Sequence, residues 1–517
     1  MTLPPPTSGE TPQAVPAAAP TQPGMGGSQM AASAVAYWAA TGVTLLGSLV
    51  RGKFSAVYLG TTGLGVTAQL TTFTALVAAA AALGLGAGGV KLIAEARAKA
   101  DEKALRNLVS FLMLAPAAVG LGFFVVICVL ARPLSHVLLD TERYAGLLVT
   151  AGAAVPLGLM LGSFQMVMQG FERARRLATL SVVSAVATTA AAVPLTVLYG
   201  LTGAVASIPL TAAATLLAFC VRERWVLGMI LPAQRLTAAH RSQLAVLAGA
   251  GLVVAVLAVV CDIGLRIATV HQLGVDVNGL YQPASMLSSL VLAQMAAGVG
   301  MVLLPRISAQ VAEGGVSSML PTVERAARTT VVFIVAVILV IEALRVVFLL
   351  VLFDRAFLGV SDVIAVQLLA ELPRFVAAVL GAAMMSARLV REWVIGELMS
   401  NAARVAVGLA LLPSMGLTAL AVAVVVQWAI MALWTAWVLR RRLGWRPRRG
   451  LAGVAALAVA VLCAALVVAV RMDPVPGGLV VGGAAGRWVV LLGRGEIRHL
   501  ARALSPRSRI RPHSPAA

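Results

Sequence analysis

Acidic and basic residues recur inside long apolar runs of this chain, at spacings that matter. Asp262 and Arg266 are four apart, Glu342 and Arg345 three apart, and Glu371 and Arg374 three apart. In a helix each pair shares one face. Arg404 stands in a similar run with no local acid, and Arg51 and Lys53 close the first apolar run. The stretch VRGKFSAVYLG extends that run far enough for both cations to point inward, as first-half counterparts of Arg266. An ionisable group at mid-bilayer costs at least about 2.5 kcal/mol, so each is a candidate for function. Two readings stand. The pairs either lower the cost of insertion as local ion pairs, or they line a working cavity. A surplus of arginine suits an anionic substrate, because guanidinium is always charged and bonds phosphate oxygens in pairs. The candidate cavity cations are Arg51, Lys53, Arg266, Arg345, Arg374 and Arg404. The acids Asp262, Glu342 and Glu371 could take up protons beside them, coupling the site to a proton or sodium gradient.

Such residues need a membrane bundle around them, and composition supplies it. Of 517 residues, 60% are hydrophobic and 12% charged, against about 25% charged in soluble domains. Runs of about 20 apolar residues recur almost end to end, which indicates helices and excludes a β-barrel with alternating polarity. The expected fold is an all-α polytopic membrane protein. Spans are expected near 33–58, 64–90, 108–131, 144–164, 177–198 and 203–221 (spans 1–6), then 244–271, 280–304, 329–353, 362–387, 395–413 and 416–438 (spans 7–12). Span 13 follows at 451–471, and a short glycine-rich span 14, interrupted by Arg487, at 478–493. Residues 1–30, rich in Pro, Ala, Gly and Thr and without Lys or Arg, read as a disordered tail rather than a secretory signal. Met25 and Met30 stand as alternative starts. Two six-helix units at 31–225 and 244–440, a linker at 226–243, extra helices within 441–493 and a basic tail at 494–517 complete the division. Cys128, Cys220, Cys261 and Cys463 all lie in apolar runs without paired spacing, which argues against a disulfide framework and for no metal site.

The net charge of +20 does not indicate nucleic acid, because the cations lie between spans. Of 40 Lys and Arg, 29 fall in alternate connections and the two ends that share their side, six on the opposite side, and five inside spans. By the positive-inside rule both termini face the cytoplasm. The connectors QGFERARR (169–176), VRERW (221–225) and RRRLGWRPRR (440–449) read as topology signals or as collectors of anionic lipid.

The two units repeat one another. LGTTGLG at 59–65 matches LGVDVNGL at 273–280, LLD at 138–140 matches LFD at 352–354, and GLT at 200–202 recurs at 416–418; Pro156 pairs with Pro373. The offsets, 214, 214, 216 and 217, are nearly constant. Six spans per unit implies parallel repeats about an axis along the membrane normal, with substrate held between the halves and access alternating.

LGTTGLGVTAQL, GLGAGGVKLIAEARA, MQGFERARR and LGVDVNGLYQPASMLSSLVLAQMAAGVGMVLLPRIS carry a resemblance over about residues 33–440. The chain resembles the Wzx-type O-antigen flippases, in the polysaccharide branch of the multidrug/oligosaccharidyl-lipid/polysaccharide (MOP) exporters. The resemblance implies a MOP/MATE-like fold that moves an undecaprenyl-diphosphate-linked oligosaccharide from the cytoplasmic to the periplasmic face of a bacterial inner membrane. It implies a role in O-antigen, lipopolysaccharide or exopolysaccharide synthesis, beside glycosyltransferases and a polymerase. It places Arg51, Lys53 and Arg266 where such flippases carry basic residues. Spans 13 and 14 depart from that twelve-helix pattern and are similar to the fourteen-helix lipid II flippases.

Two alternatives remain. A cation-coupled drug or metabolite exporter would favour an acidic cavity, whereas the excess here is basic. A membrane polymerase or glycosyltransferase would need a large loop or a compact acidic motif. The sequence holds no GxSxG, DxD or Walker A motif, and the expectation is a transporter rather than an enzyme.

Overall fold

The computed structural model describes residues 27–82, 85–99, 101–171, 173–230, 238–472 and 474–493. The tail 494–517 and most of the 1–30 tail lie outside them. Among the described residues the chain is almost wholly helical, and ten helices are long and apolar enough to cross a membrane. It is a multi-pass membrane protein. Large apolar side chains such as Leu46, Leu121, Val129, Leu198 and Leu433 face outward, as lipid contact requires.

The ten account for twelve of the fourteen expected spans, because two of them each hold a pair; spans 8 and 14 are formed by shorter or broken helices. Gly27–Ala81 contains spans 1 and 2 and kinks at Gly60, where φ is 65°; Ala174–Arg222 contains spans 5 and 6 and kinks at Gly200, where φ is 58°. The left-handed backbone costs an L side chain about 1–2 kcal/mol, so glycine marks the turn. The repeat predicts the same device in the second half. Gly274 (φ 97°) opens span 8 and Gly416 (φ 55°) separates spans 11 and 12. The third matched loop diverges: Asp140 caps its helix in the left-handed region, while Asp354 is extended.

Span 8 is broken where the sequence reads as one run. It passes through Val275–Leu280, Gln282–Met286 and a π-turn at Leu287–Leu292 before Ala293–Gly314. Span 9 begins earlier than expected, at Leu320, and breaks after Ala343; span 10 is divided between Ser361–Leu368 and Glu371–Ser386. Helix Ala238–Leu273 begins inside the stretch expected as a linker.

Spans 13 (Arg449–Arg471) and 14 (Pro474–Trp488) are packed into the second half rather than appended to it. Leu462, Val481 and Trp488 join the core of Ile334, Ile338, Phe357 and Ile364. The Trp488 indole donates to the Val332 carbonyl at 2.9 Å.

Candidate functional site: a membrane-interior cavity with one uncompensated arginine

A cavity of about 480 Å³ lies mostly within the first half. The two glycine kinks build it. Ser48, Arg51 and Ser55 on one arm of the Gly60 kink face it together with Thr67 and Thr71 on the other; Thr196 and Ser207 do the same across Gly200. Gln282, Met286 and Phe353 contribute the second half's wall. The polar residues follow helical spacing: Ser48, Arg51 and Ser55, then Thr67 and Thr71. In the sequence this polar stripe is masked by the apolar residues around it and by the more conspicuous charges.

The wall has a chemical direction. The hydroxyl protons of Ser48, Thr67, Thr71, Thr196 and Ser207 are donated to carbonyls of their own helices at 2.6–3.0 Å. Their lone pairs remain as acceptors. Arg51 donates from Nη1 to Thr189 Oγ1 at 2.7 Å and from Nη2 to Ser48 Oγ at 2.9 Å. Among the described residues no carboxylate lies within ion-pair distance of it. Its charge is held by neutral hydroxyls and directed at the cavity.

The second-half arginines are arranged otherwise. Asp262 accepts Arg266 Nε at 3.1 Å and Arg404 Nη2 at 2.6 Å, so both of its oxygens are used. Arg266 continues to Ser285 Oγ at 2.9 Å and to Asn278 Oδ1 at 3.5 Å, with its guanidinium 5.9 Å from the Tyr281 ring centre. Arg404 therefore does have an acid, 142 residues away in sequence. Arg345 is 2% exposed and bonded through each of its three nitrogens: it donates to Glu342 at 2.6 Å, Ser361 Oγ at 2.7 Å and the Ala469 carbonyl at 2.6 Å. It knits spans 9, 10 and 13 together and does not reach the cavity.

Arg374 donates to the Ser288 carbonyl at 3.0 Å and lies 3.4 Å from Glu371, with Trp428 4.9 Å from its guanidinium. Ser288 belongs to the π-turn, which frees carbonyls from the helical ladder. The Ser288 hydroxyl donates to Glu371 Oε1, while Glu371 Oε2, fully buried, has no partner among the described residues. Lys53 also lies apart from the cavity wall. Its ammonium donates to the carbonyls of Leu350, at 3.0 Å, and Phe353 in the other half. Of the six cations expected in a cavity, only Arg51 lines this one.

Residues 31–311 match the family described as "polysaccharide biosynthesis protein". The chain belongs to that family. No curated protein matches it in sequence. Among solved structures it is similar to a lipid II flippase MurJ in an inward closed conformation, with TM-score 0.68 and 11% identity, covering 91% of this chain and 100% of that one. An inward-facing multidrug resistance MATE transporter of the MOP superfamily gives TM-score 0.62 and 15% identity, covering 78% and 94%. A MOP transporter from Pyrococcus furiosus, titled for the reverse polarity of its binding pocket, gives 0.57 and 14%, covering 80% and 95%. At these identities the likeness establishes the fold.

Proposed function

We propose that this family member is a flippase for a polyprenyl-diphosphate-linked oligosaccharide, carrying it from the cytoplasmic to the periplasmic face of a bacterial inner membrane by alternating access. One observation carries the reading. Arg51 is the intramembrane arginine whose charge meets hydroxyls instead of a carboxylate, in a cavity whose wall offers hydroxyl lone pairs and the Gln282 amide beside it. A diphosphate matches the guanidinium. Sugar hydroxyls and amide N–H groups match the lone pairs of the wall. A cationic drug would meet Arg51 unfavourably.

Among the acids, Glu371 is the candidate for gradient coupling: Asp262 gives both oxygens to arginines, and Glu342, which like Glu371 keeps one buried oxygen without a partner among the described residues, holds its arginine at 2.6 Å against 3.4 Å for Glu371. The reading is supported by the family match and by the fold shared with a lipid II flippase.

The test is a strain deleted for the protein's gene and complemented with Arg51→Ala or Arg51→Lys. Arg51→Ala should abolish surface polysaccharide and leave lipid-linked precursor accumulating on the cytoplasmic face, with membrane insertion unchanged. Arg51→Lys should restore part of the flux as a point charge. Normal surface polysaccharide from Arg51→Ala would sink the proposal, and altered drug susceptibility in its place would favour the exporter.

A further inference from the structure

Three features left over from the cavity meet at one face of the bundle, the side whose connections carry few arginines. The first is a backbone contact between the halves. A Cβ on Gly65 would overlap the Val275 carbonyl oxygen, and a Cβ on Gly279 would overlap the Thr61 carbonyl oxygen. Thr61 and Val275, like Gly65 and Gly279, are 214 residues apart, so the contact is made by the same two positions of each repeat. Helix backbones approach this closely only where small residues allow it.

The second feature is a pair of crossed bonds. Lys53, on span 1, donates to Leu350 and Phe353 in the second half's turn. His271, on span 7, lies 2.8 Å from the Val137 carbonyl through Nε2 and 3.3 Å from Asp140 through Nδ1, in the first half's turn. These turns are the LLD and LFD pair of the repeat. Each half thus reaches from its first helix to the equivalent turn of the other. The third feature is Asn278. It donates to the Gly65 carbonyl at 3.3 Å while its own oxygen faces Arg266.

We propose that these residues form a gate on the arginine-poor face: Gly65 and Gly279 are the joint, Lys53 and His271 are two crossed latches, and Arg266 through Asn278 holds the joint to the buried charge network. Lys53 is on this reading a gating residue and takes no part in binding cargo. Opening requires the glycine backbones to part and both latches to release their carbonyls. The latches hold backbone carbonyls and, at His271, the half-exposed Asp140 carboxylate, all of which water can satisfy once they are released, so the closed state is readily undone. The gate holds whatever cargo the cavity carries.

The test uses the full chain with its four cysteines replaced by alanine and Thr67→Cys as reporter in the cavity wall. Labelling by a membrane-impermeant maleimide is timed from each face in vesicles of both orientations. From the arginine-poor face the parent should label slowly, Lys53→Met/His271→Gln roughly tenfold faster, and Lys53→Arg near the parent rate. Gly279→Val, which cannot close the joint, should label fastest where it inserts. A latch double variant labelling within twofold of the parent overturns the gate, whatever Gly279→Val does. Because the readout is accessibility, a failure of Arg51→Ala to affect transport would leave it standing.

Discussion

An arginine buried in a low-dielectric interior either finds an acid or imposes its charge on whatever lies near it. Arg345 shows the first outcome and Arg51 the second, and they should respond oppositely to substitution. Removing one partner of a buried pair leaves the other charge stranded, a cost of about 3–5 kcal/mol. Glu342→Gln, or Arg345→Met alone, should therefore lower the thermal stability of the detergent-solubilised protein sharply. The double change Glu342→Leu/Arg345→Met should recover most of the loss, because it strands nothing. Transport by any of these that folds should be near normal. Arg51→Ala, with no paired carboxylate to strand, should leave the melting transition within a few degrees of the parent and remove transport. Melting curves set beside surface polysaccharide levels check both statements. The local pairs were legible in the sequence because a spacing of three or four fixes a shared face. Arg404 with Asp262, and Arg345 with Ala469, were not, since those meetings depend on how distant helices pack.

At the scale of elements, the same logic separates what repeats from what does not. Glycines at 60 and 274, and at 200 and 416, were legible as a repeat before their backbone angles were known, because loops are where two copies need the same geometry. The break in span 8 was hidden: LYQPASMLSSLVLAQ reads as one apolar run, and nothing in its hydropathy marks the π-turn at Ser288. That turn nevertheless decides what Glu371 and Arg374 touch. Glu371→Gln keeps the shape and can still accept from Ser288, but removes the charge. If Glu371 couples the cycle, the variant should bind cargo normally while its transport in proteoliposomes no longer responds to an imposed proton or sodium gradient. A gradient response equal to the parent's would remove Glu371 from that role. The kinks admit a simpler test. Gly60→Ala keeps the volume small but forces a side chain into the left-handed region at about 1–2 kcal/mol. Lower stability with altered packing of the Ser48–Ser55 arm should follow, read as faster labelling of a cysteine at Ser55.

For the whole molecule, the distribution of cations is what the proposed orientation, and with it the proposed direction of transport, rests on. With 29 Lys and Arg in one set of connections and ends and six on the other, the alternative orientation would have to move most of the positive charge across the membrane. The structure adds a reason for that asymmetry beyond insertion. On the arginine-rich side Arg173 and Arg176 converge on the buried carboxylate of Glu223, at 3.3 and 3.6 Å, with Arg173 4.1 Å from the Trp225 ring centre. On the same side Arg442 bonds Glu392 at 2.9 Å. These connectors are braced as well as charged, on the face where the proposed function has an anionic headgroup enter. On the opposite side, the matched turns are bridged between the halves by the Lys53 and His271 contacts. Single cysteines at Arg143 and Arg355 should therefore label only from the periplasmic side of intact cells, and cysteines at Arg325, Arg391 and Arg446 only after the membrane is opened. If the Arg143 and Arg325 positions label from the same side, the alternate-connection topology is wrong, and the proposed direction of flipping falls with it. If they label as expected, the gate at Gly65 and Gly279 lies on the exit side, and cargo entering beside the braced connectors must part those two glycines to leave.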